Sequence, residues 1–433
     1  MVVEFSAKNF RSIKDLQTIS FLATGLKSSE KNEGVDQRNI VEEGGNRFLK
    51  TIGLYGANGS GKTNIIRALE YFFQVIRNEA SSESNLGPLA EPFLYQETPE
   101  STESFFQIVV VLSGKKYRYG FTVAQNLAYT GTGSKEIITS EWLYGTKERN
   151  FGELFIRSGQ EIRKESLPNK DNIPALPYAH TLFLTHAAAF DAEGACSTIR
   201  GFVRRWTRSN FVGGFEALRF GTVYAIKVEQ MKQQFLDLLA AFNLRYDDVS
   251  IEIDKIPIGT ELVDQEKIFF TRHFRVNNEL IPIRLNLRHH ESAGTRKLFD
   301  IVGFLLRVFS MPLSGLLIFD ELDSDFHPGL LVKLIGLFND PEINKSNVQL
   351  LFTSHDTNIM SPELMRRDQF YFAEKTEENA TRIYALSDLR GIRNDADFAR
   401  NYLAGFYGAI PLMHTFISQP TKPEDERLGY QVG

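Results

Sequence analysis

The stretch GLYGANGSGKTN, residues 53–64, follows an apolar run at 48–52, and in it Gly56, Gly59 and Gly61 lead to Lys62. Residues 56–63 fit the pattern GxxxxGK followed by Ser or Thr. Glycines let backbone N–H groups turn towards an anion, and the N-terminus of a following helix adds the positive end of its dipole. The stretch therefore predicts a phosphate-binding loop between a strand and a helix. We call residues 56–63 the glycine loop.

The side chains of the glycine loop have distinct expected roles. Lys62 would reach the β- and γ-phosphates of a nucleotide, and the Thr63 hydroxyl would coordinate Mg²⁺. The residues expected to surround the phosphates are Asn58, Gly59, Ser60 and Gly61. The competing interpretation is a glycine-rich turn with an unrelated lysine, but glycine makes up only about 7% of average sequences, so this spacing seldom arises by chance.

Length and composition limit the class of protein. A chain of 433 residues exceeds what one hydrophobic core usually serves, and 42% hydrophobic with 24% charged residues is typical of a globular protein. No run approaches a membrane span and the N-terminus lacks an apolar secretory core, so a cytoplasmic protein is predicted. The lone Cys196 excludes an internal disulfide and a cysteine-based zinc site. A net charge of -5 argues against a chain that is basic throughout, while leaving room for a local basic face.

The pattern of apolar residues predicts the organisation of the rest of the chain. A strand pair opens it, a loop is expected at 27–46, and a helix starts near Thr63. Antiparallel strands are expected at about 103–160 and a linker at 161–178, followed by helices near 195–208 and 222–243 and strands near 249–256, 266–275 and 280–288. No heptad pattern is sustained, so a long coiled coil is not expected. The expected lobes are a nucleotide-binding lobe with an antiparallel flank at 1–180, a helical and β insertion at 181–290, and a third lobe at 291–433.

A second informative stretch is LSGLLIFDELDSDFHP, where the apolar run Leu316–Phe319 ends in Asp320 and Glu321. A buried parallel strand that delivers two acids at its carboxyl end is the Walker B arrangement. Asp320 would hold Mg²⁺, and Glu321 would orient or deprotonate the attacking water. The alternatives are a solvated acidic turn and the carboxylate cluster of a metal-dependent nuclease, although a nuclease would not require the glycine loop.

Two further motifs flank that strand. A Ser-Ala-Gly turn within ESAGT, residues 291–295, opens an amphipathic helix, and VQLLFTSHDTNIM repeats an apolar strand that ends near His355. A helix N-cap explains Ser292 nearly as well as a ligand role, and His355 alone could be a core histidine.

The order of these motifs resembles the ABC-type ATPase cassette in its RecF/SMC-like branch. By that resemblance ESAGT corresponds to the signature motif, with Ser292 and Gly294 as nucleotide-binding residues, ELDSDFHP corresponds to the D-loop region, and His355 is the switch histidine. KNFRS at 8–12 resembles the N-terminal motif in which an arginine, here Arg11, approaches the nucleotide. The tail NYLAGFYGAIP, residues 401–411, resembles the end of stand-alone prokaryotic ATPases of abortive-infection and other antiphage systems.

The resemblance implies a fold and an activity. The fold would be an α/β P-loop NTPase head with an antiparallel β flank and a helical lobe that carries the signature. The protein would hydrolyse ATP with Mg²⁺, with Glu321 and His355 as catalytic residues, in a homodimer or higher homo-oligomer whose heads sandwich ATP. Its partner would be a nuclease or toxin effector that it controls. The alternative function is that of a RecF-like DNA-binding ATPase in recombination or repair. No membrane partner is implied. The motif that contributes a glutamine in this family is not obvious, and His186 occupies a plausible place for it.

Overall fold

The computed structural model describes residues 1–78, 81–95, 103–131, 133–147, 150–168, 170–206, 218–258, 261–311, 315–324 and 326–410. Its strands are β1 (Val2–Lys8), β2 (Gln17–Ser20), β3 (Ile40–Glu43), β4 (Asn46–Leu49), β5 (Thr51–Tyr55), β6 (Ser104–Leu112), β7 (Lys115–Gln125), β8 (Glu136–Lys147), β9 (Asn150–Ser158), β10 (Glu161–Arg163), β11 (Asp248–Ile258), β12 (Glu261–Val276), β13 (Glu279–Asn286), β14 (Leu316–Phe319), β15 (Gln349–Thr353), β16 (Phe370–Lys375) and β17 (Thr381–Ala385). Its α-helices are α1 (Glu33–Asn39), α2 (Lys62–Arg77), α3 (Phe183–Ala187), α4 (Ala195–Trp206), α5 (Arg219–Lys227), α6 (Glu229–Ala241), α7 (Leu287–His290), α8 (Ala293–Phe309), α9 (Pro328–Asn339) and α10 (Phe398–Leu403).

A five-stranded sheet in the order β14-β15-β5-β16-β17 forms the centre of the fold. The first four strands in this order are parallel, and β17 pairs antiparallel with β16. Every residue of β5, β14 and β15 is buried, which explains why these strands read as continuous apolar runs. Because parallel strands end at the same edge, the glycine loop after β5 and the two acids after β14 lie at one edge of this sheet.

A second sheet forms the antiparallel flank. Its seven strands follow the order β10-β9-β8-β7-β6-β1-β2. Helix α2 packs against it through Phe72, whose ring stacks on Phe121 at a centroid distance of 5.3 Å and meets Phe5 edge-on at 5.6 Å. The helix that begins at the glycine loop is therefore fixed by the apolar face of the flank.

A third unit consists of α5, α6, α8 and the three-stranded sheet β11-β12-β13. Phe299 on α8 meets Phe235 on α6 and Phe270 on β12 edge-on, at 5.4 and 5.7 Å. Arg219 at the start of α5 forms a bidentate pair with the buried Asp300 on α8, with both N–O distances 2.9 Å. The helix that opens at Ser292 is thus anchored on both sides.

The structure confirms the expected α/β P-loop architecture with an antiparallel flank, and the longest helix within the described ranges, α8, has only 17 residues. Two local expectations were wrong. The loop expected at 27–46 contains α1 and β3, because Val35 is buried and the chain pairs with β4. The helix expected over 222–243 is two helices, since Val228 adopts an extended conformation between α5 and α6. Among the described residues there is no helix with the length and apolar character needed to cross a bilayer.

Candidate functional site

The glycine loop has a backbone shape that depends on its glycines. Gly56, Gly59 and Gly61 have φ angles of +147°, +77° and +101°, a region that other residues rarely adopt. Space is also limited, because a Cβ atom on Gly61 would lie 1.9 Å from Thr381 Oγ1, and one on Gly56 would lie 2.2 Å from the Ala373 carbonyl oxygen. The glycines therefore let the loop fit closely against β16 and β17.

Side chains from segments that are distant in the sequence support the glycine loop through hydrogen bonds. Ser12 Oγ and Thr381 Oγ1 are hydrogen-bonded at 2.8 Å, and Asn64 Nδ2 donates to Ser12 Oγ at 2.7 Å. Thr381 Oγ1 also lies 2.9 Å from the Ser60 carbonyl oxygen. Sequence reasoning missed Thr381 and Asn64, and Ser12 appeared only as the last residue of the KNFRS motif. We call Ser12, Asn64 and Thr381 the loop support.

Lys62, the first residue of α2, points back into the loop. Its side chain is buried, and Nζ donates to the carbonyl oxygens of Gly56 and Ala57 at 2.8 and 3.1 Å. Burial lowers the pKa of Lys62, and the charges of the carboxylates at Asp320, Glu321 and Asp323 oppose this shift. The ammonium group therefore lies within electrostatic reach of the acids after β14.

Thr353, the last residue of β15, orients the pair of acids. Its hydroxyl donates to Asp320 Oδ1 at 2.6 Å and accepts the Glu321 backbone N–H at 2.7 Å. Glu321 has a φ of +50°, so the chain turns sharply at the strand end and leaves the Glu321 side chain exposed. Sequence reasoning assigned no role to Thr353, although the run Thr353-Ser354-His355 marked the strand end.

His355 lies beside the same acids. Its backbone N–H donates to Asp323 Oδ2 at 3.0 Å, while Asp323 Oδ1 is buried and has no hydrogen-bond partner within the described ranges. Partial burial lowers the pKa of His355, and the charge on Lys62 lowers it further, against the opposing charges of the nearby carboxylates. The structure therefore brings together the histidine, the lysine and the acids that the sequence singled out.

The C-terminal segment, residues 398–410, contacts the glycine loop at Ala57. The Ala57 backbone N–H donates to the Ala409 carbonyl oxygen at 3.0 Å, and Tyr402 Oη donates to the same oxygen at 3.1 Å. Ala409 N–H in turn donates to Glu374 Oε2 at 3.2 Å. A cavity of about 730 Å³ lies between loop residues 56–60, His355 and this segment.

The signature turn, residues 291–295, caps α8. Ser292 is exposed, and its Oγ accepts the Thr295 N–H at 3.1 Å, so the hydroxyl is a helix N-cap. Gly294 lies in the first turn of the helix. One turn further, Lys297 Nζ donates to Ser324 Oγ at 2.8 Å, which ties α8 to the turn that follows Asp320. The nucleotide-binding roles of Ser292 and Gly294 remain predictions.

Arg11 and His186 have structural partners. Arg11 donates to both carboxylate oxygens of Glu91, at 2.7 and 3.2 Å, and its guanidinium lies 5.4 Å from the centre of the Tyr71 ring. His186 Nε2 lies 3.1 Å from the Pro174 carbonyl oxygen. These contacts account for both side chains locally, and the expected approach of Arg11 to a nucleotide remains a prediction.

The residues at this edge fit a magnesium–nucleotide complex. Within the described ranges no group of three or more His, Cys, Asp or Glu residues could hold a metal ion by itself. Mg²⁺ usually takes only one or two carboxylates and completes its shell with waters and substrate phosphates. Asp320 and the Thr63 hydroxyl would supply such oxygen ligands, and the unpartnered Oδ1 of Asp323 is a further polar group that a bound complex would satisfy.

Together, the parallel sheet, the glycine loop and the acidic strand end define a P-loop NTPase fold. The chain belongs to the family described as "AAA domain, putative AbiEii toxin, Type IV TA system", whose model matches residues 52–361. Among solved structures, the crystal structure of the SmcHead bound to the C-winged helix domain of ScpA matches 89% of this chain and 97% of that chain, at 12% sequence identity and a TM-score of 0.40. No curated protein sequence matches the chain.

Proposed function

We propose that the protein is a Mg²⁺-dependent ATP hydrolase whose ATP-driven head dimerisation acts as a switch. The observation that carries the proposal is the convergence of Lys62, Asp320, Glu321 and His355 at one edge of the central sheet. The family described above links such ATPases to toxin–antitoxin systems. The protein would then be the sensor or regulatory subunit of an antiphage, abortive-infection system that controls a nuclease or toxin effector.

Each residue of the site would have one task. Backbone N–H groups at 58–61 and the Lys62 ammonium would bind the phosphates, while Thr63 and Asp320 would hold Mg²⁺. The metal would neutralise charge on the phosphates during transfer. Glu321 would orient or deprotonate water. This role suits a residue whose backbone N–H is held by Thr353 and whose side chain is exposed.

Dimerisation would complete the site. Ser292 is exposed at the start of a 17-residue helix whose N-terminus can face an anion. A second copy could place this turn over the glycine loop, where the cavity beside His355 leaves room. ATP would bind the closed dimer better than the open one and so shift the population towards it.

Two variants test the enzymatic proposal. Lys62→Ala should abolish ATP binding, because it removes the charge that meets the phosphates. Glu321→Gln should keep binding and lose about 10² to 10⁴ in hydrolysis rate. The measurements are ATP affinity and phosphate release by the purified protein, with and without EDTA to remove the metal.

The matched control is Glu342→Gln, which makes the same change at an exposed position before β15. Unchanged hydrolysis in Glu321→Gln would contradict the role given to Glu321. A loss of hydrolysis in Glu342→Gln equal to that in Glu321→Gln would show that the assay responds only to the removal of a negative charge.

The effector is proposed to be a protein. Leu403 and Phe406 in the C-terminal segment are 66% and 74% exposed beside the glycine loop, which suits an apolar partner surface that senses the nucleotide. Co-expression of Glu321→Gln with the product of the neighbouring gene should give a complex that depends on ATP. Duplex DNA binding that falls about 10³-fold between low and moderate salt, with no recoverable partner, would instead support the RecF-like repair ATPase.

A further inference from the structure

A second cavity lies beside the three-stranded sheet β11-β12-β13, and no residue of the glycine loop lines it. It has a volume of about 330 Å³ and lies between residues 265–268 of β12, residues 286–289 around α7, Arg219 and Arg296. Its volume is at the lower end of the range of small-molecule sites. None of the residues to which we assigned a role in ATP hydrolysis lines it.

The charged lining of this cavity is mainly cationic. Arg219, Lys267, Arg288 and Arg296 line it, against a single carboxylate at Glu266. This concentration of positive charge occurs in a chain whose net charge is -5. A lining of this sign attracts anions.

Ion pairs offset part of the charge. Arg219 pairs with Asp300, Lys267 lies 2.5 Å from Asp254, and Glu266 is met by Lys227 at 3.2 Å. These pairs leave Arg288 and Arg296 as the main source of positive charge in the cavity.

Arg288 and Arg296 make no ion pair with a described residue. Arg296 Nη1 donates to the carbonyl oxygens of Glu291 and Arg288 at 3.0 and 3.4 Å, which fixes its position in the first turn of α8. Arg288 is exposed on α7. The N-terminus of the 17-residue α8 adds its dipole to the same corner.

We propose that this cavity binds a phosphate group, with Arg288 and Arg296 as its principal ligands. A guanidinium group binds phosphate through two parallel N–H···O bonds, and Arg288 and Arg296 line the same cavity, as does the polar Asn286. The phosphate belongs either to a free nucleotide or to a nucleic-acid strand. No glycine-loop residue and none of the acids after β14 lines this cavity, and it adjoins the signature turn through Arg296, which donates to the Glu291 carbonyl oxygen.

The test uses the full chain with the Lys62→Ala substitution, so that phosphate binding at the glycine loop is suppressed. Inorganic pyrophosphate and AMP are titrated by calorimetry, and a fluorescein-labelled ten-nucleotide oligothymidine by anisotropy. We expect at least one probe to bind, and Arg288→Ala to weaken that binding by about tenfold or more. Arg296→Ala should act in the same direction, and Arg296→Lys should recover part of the loss because it keeps the charge.

The matched control is Arg275→Ala, which removes an exposed arginine from β12 outside the cavity. Oligothymidine binding at least tenfold tighter than pyrophosphate or AMP, with a steep salt dependence, assigns the phosphate to a nucleic-acid strand. The reverse order assigns it to a free nucleotide. The proposal is overturned if no probe binds the Lys62→Ala protein, or if Arg275→Ala weakens binding as much as Arg288→Ala does.

Discussion

Gly61 is the residue at which three distant parts of the chain meet. A Cβ atom at this position would lie 1.9 Å from Thr381 Oγ1 and 2.9 Å from Ser12 Oγ, and the φ of +101° suits only glycine. Gly59 has a similar φ of +77°, but a Cβ atom there would have nothing within 4 Å. A substitution at Gly59 therefore measures the free-energy cost of the backbone conformation alone, whereas one at Gly61 adds the cost of a steric clash.

Gly61→Ala should destabilise the protein more than Gly59→Ala. Backbone strain of this kind costs about 1–3 kcal/mol at either position, and only Gly61→Ala adds a clash. Urea denaturation of both variants measures the difference. Removing Thr381 Oγ1 in the double variant Gly61→Ala/Thr381→Ala should return part of the stability, as a double-mutant cycle would show. Equal free energies of unfolding for the two single variants would contradict the crowding argument.

Sequence reasoning reached the residues of the site but not their supports. Glycine spacing and paired acids after an apolar strand are local patterns, so the glycine loop, Asp320 and Glu321 could be predicted. Thr381 bonds to the Ser60 carbonyl oxygen across 321 positions of the chain, and nothing in the residues around it marks that contact. Thr353 is similar, because a threonine at a strand end is common and only the folded sheet shows that its hydroxyl donates to the Asp320 carboxylate and accepts the Glu321 backbone N–H.

At the scale of elements, one buried carboxylate joins the antiparallel flank to α3. Glu141 on β8 is fully buried and accepts the N–H groups of Phe183 and Leu184 at 2.6 and 2.8 Å, at the start of α3. Arg157 on β9, also fully buried, lies 3.4 Å from the same carboxylate. Thr185 in α3 then donates to the carbonyl oxygen of Ile76 at 3.3 Å, near the end of the helix that starts at Lys62.

Glu141→Ala should cost about 3–5 kcal/mol of unfolding free energy, because it leaves Arg157 buried without its counter-charge and two N–H groups of α3 without an acceptor. Denaturant unfolding followed by circular dichroism measures this loss. Glu153→Ala is the matched control, since Glu153 lies 3.7 Å from the exposed Arg163 on the outer part of the same sheet and should cost at most about 1 kcal/mol. Similar costs for both variants would show that the buried pair does not hold the flank to α3.

At the scale of the whole molecule, the signature turn and the glycine loop belong to different units of the fold, α8 and the central sheet. The glycine loop and the acids share one sheet edge, whereas the hydrogen bond of Ser292 stays within its own turn. The strand order that produces this arrangement could not be read from the sequence, because β5 lies between β15 and β16, which follow it by roughly 300 positions. The strands β6 to β9 of the antiparallel flank were predicted from the sequence, because each pairs with the next along the chain, whereas the pairing of β1 with β6 joins residues about 100 positions apart.

A mixture of two inactive variants tests whether the site is shared between copies. Lys62→Ala and Ser292→Arg should each be inactive alone, and their mixture should recover part of the ATP hydrolysis, since a mixed dimer has one intact composite site. Phosphate release by the mixture is the measurement, with mixed dimers verified by tag pull-down. A mixture that forms dimers and stays as inactive as its parents would contradict the shared site.

The hydrogen bond between Ala57 and Ala409 gives the molecule a mechanical property. Force applied to the chain beyond Ile410 would reach the glycine loop after one residue, because the Ala409 carbonyl oxygen accepts the loop's own N–H. Tyr402 and Glu374 hold the same residue from the sides, so they would carry part of the load and set how far the loop is pulled. Tension on the C-terminal segment and the shape of the phosphate-binding loop are therefore linked by one short tether.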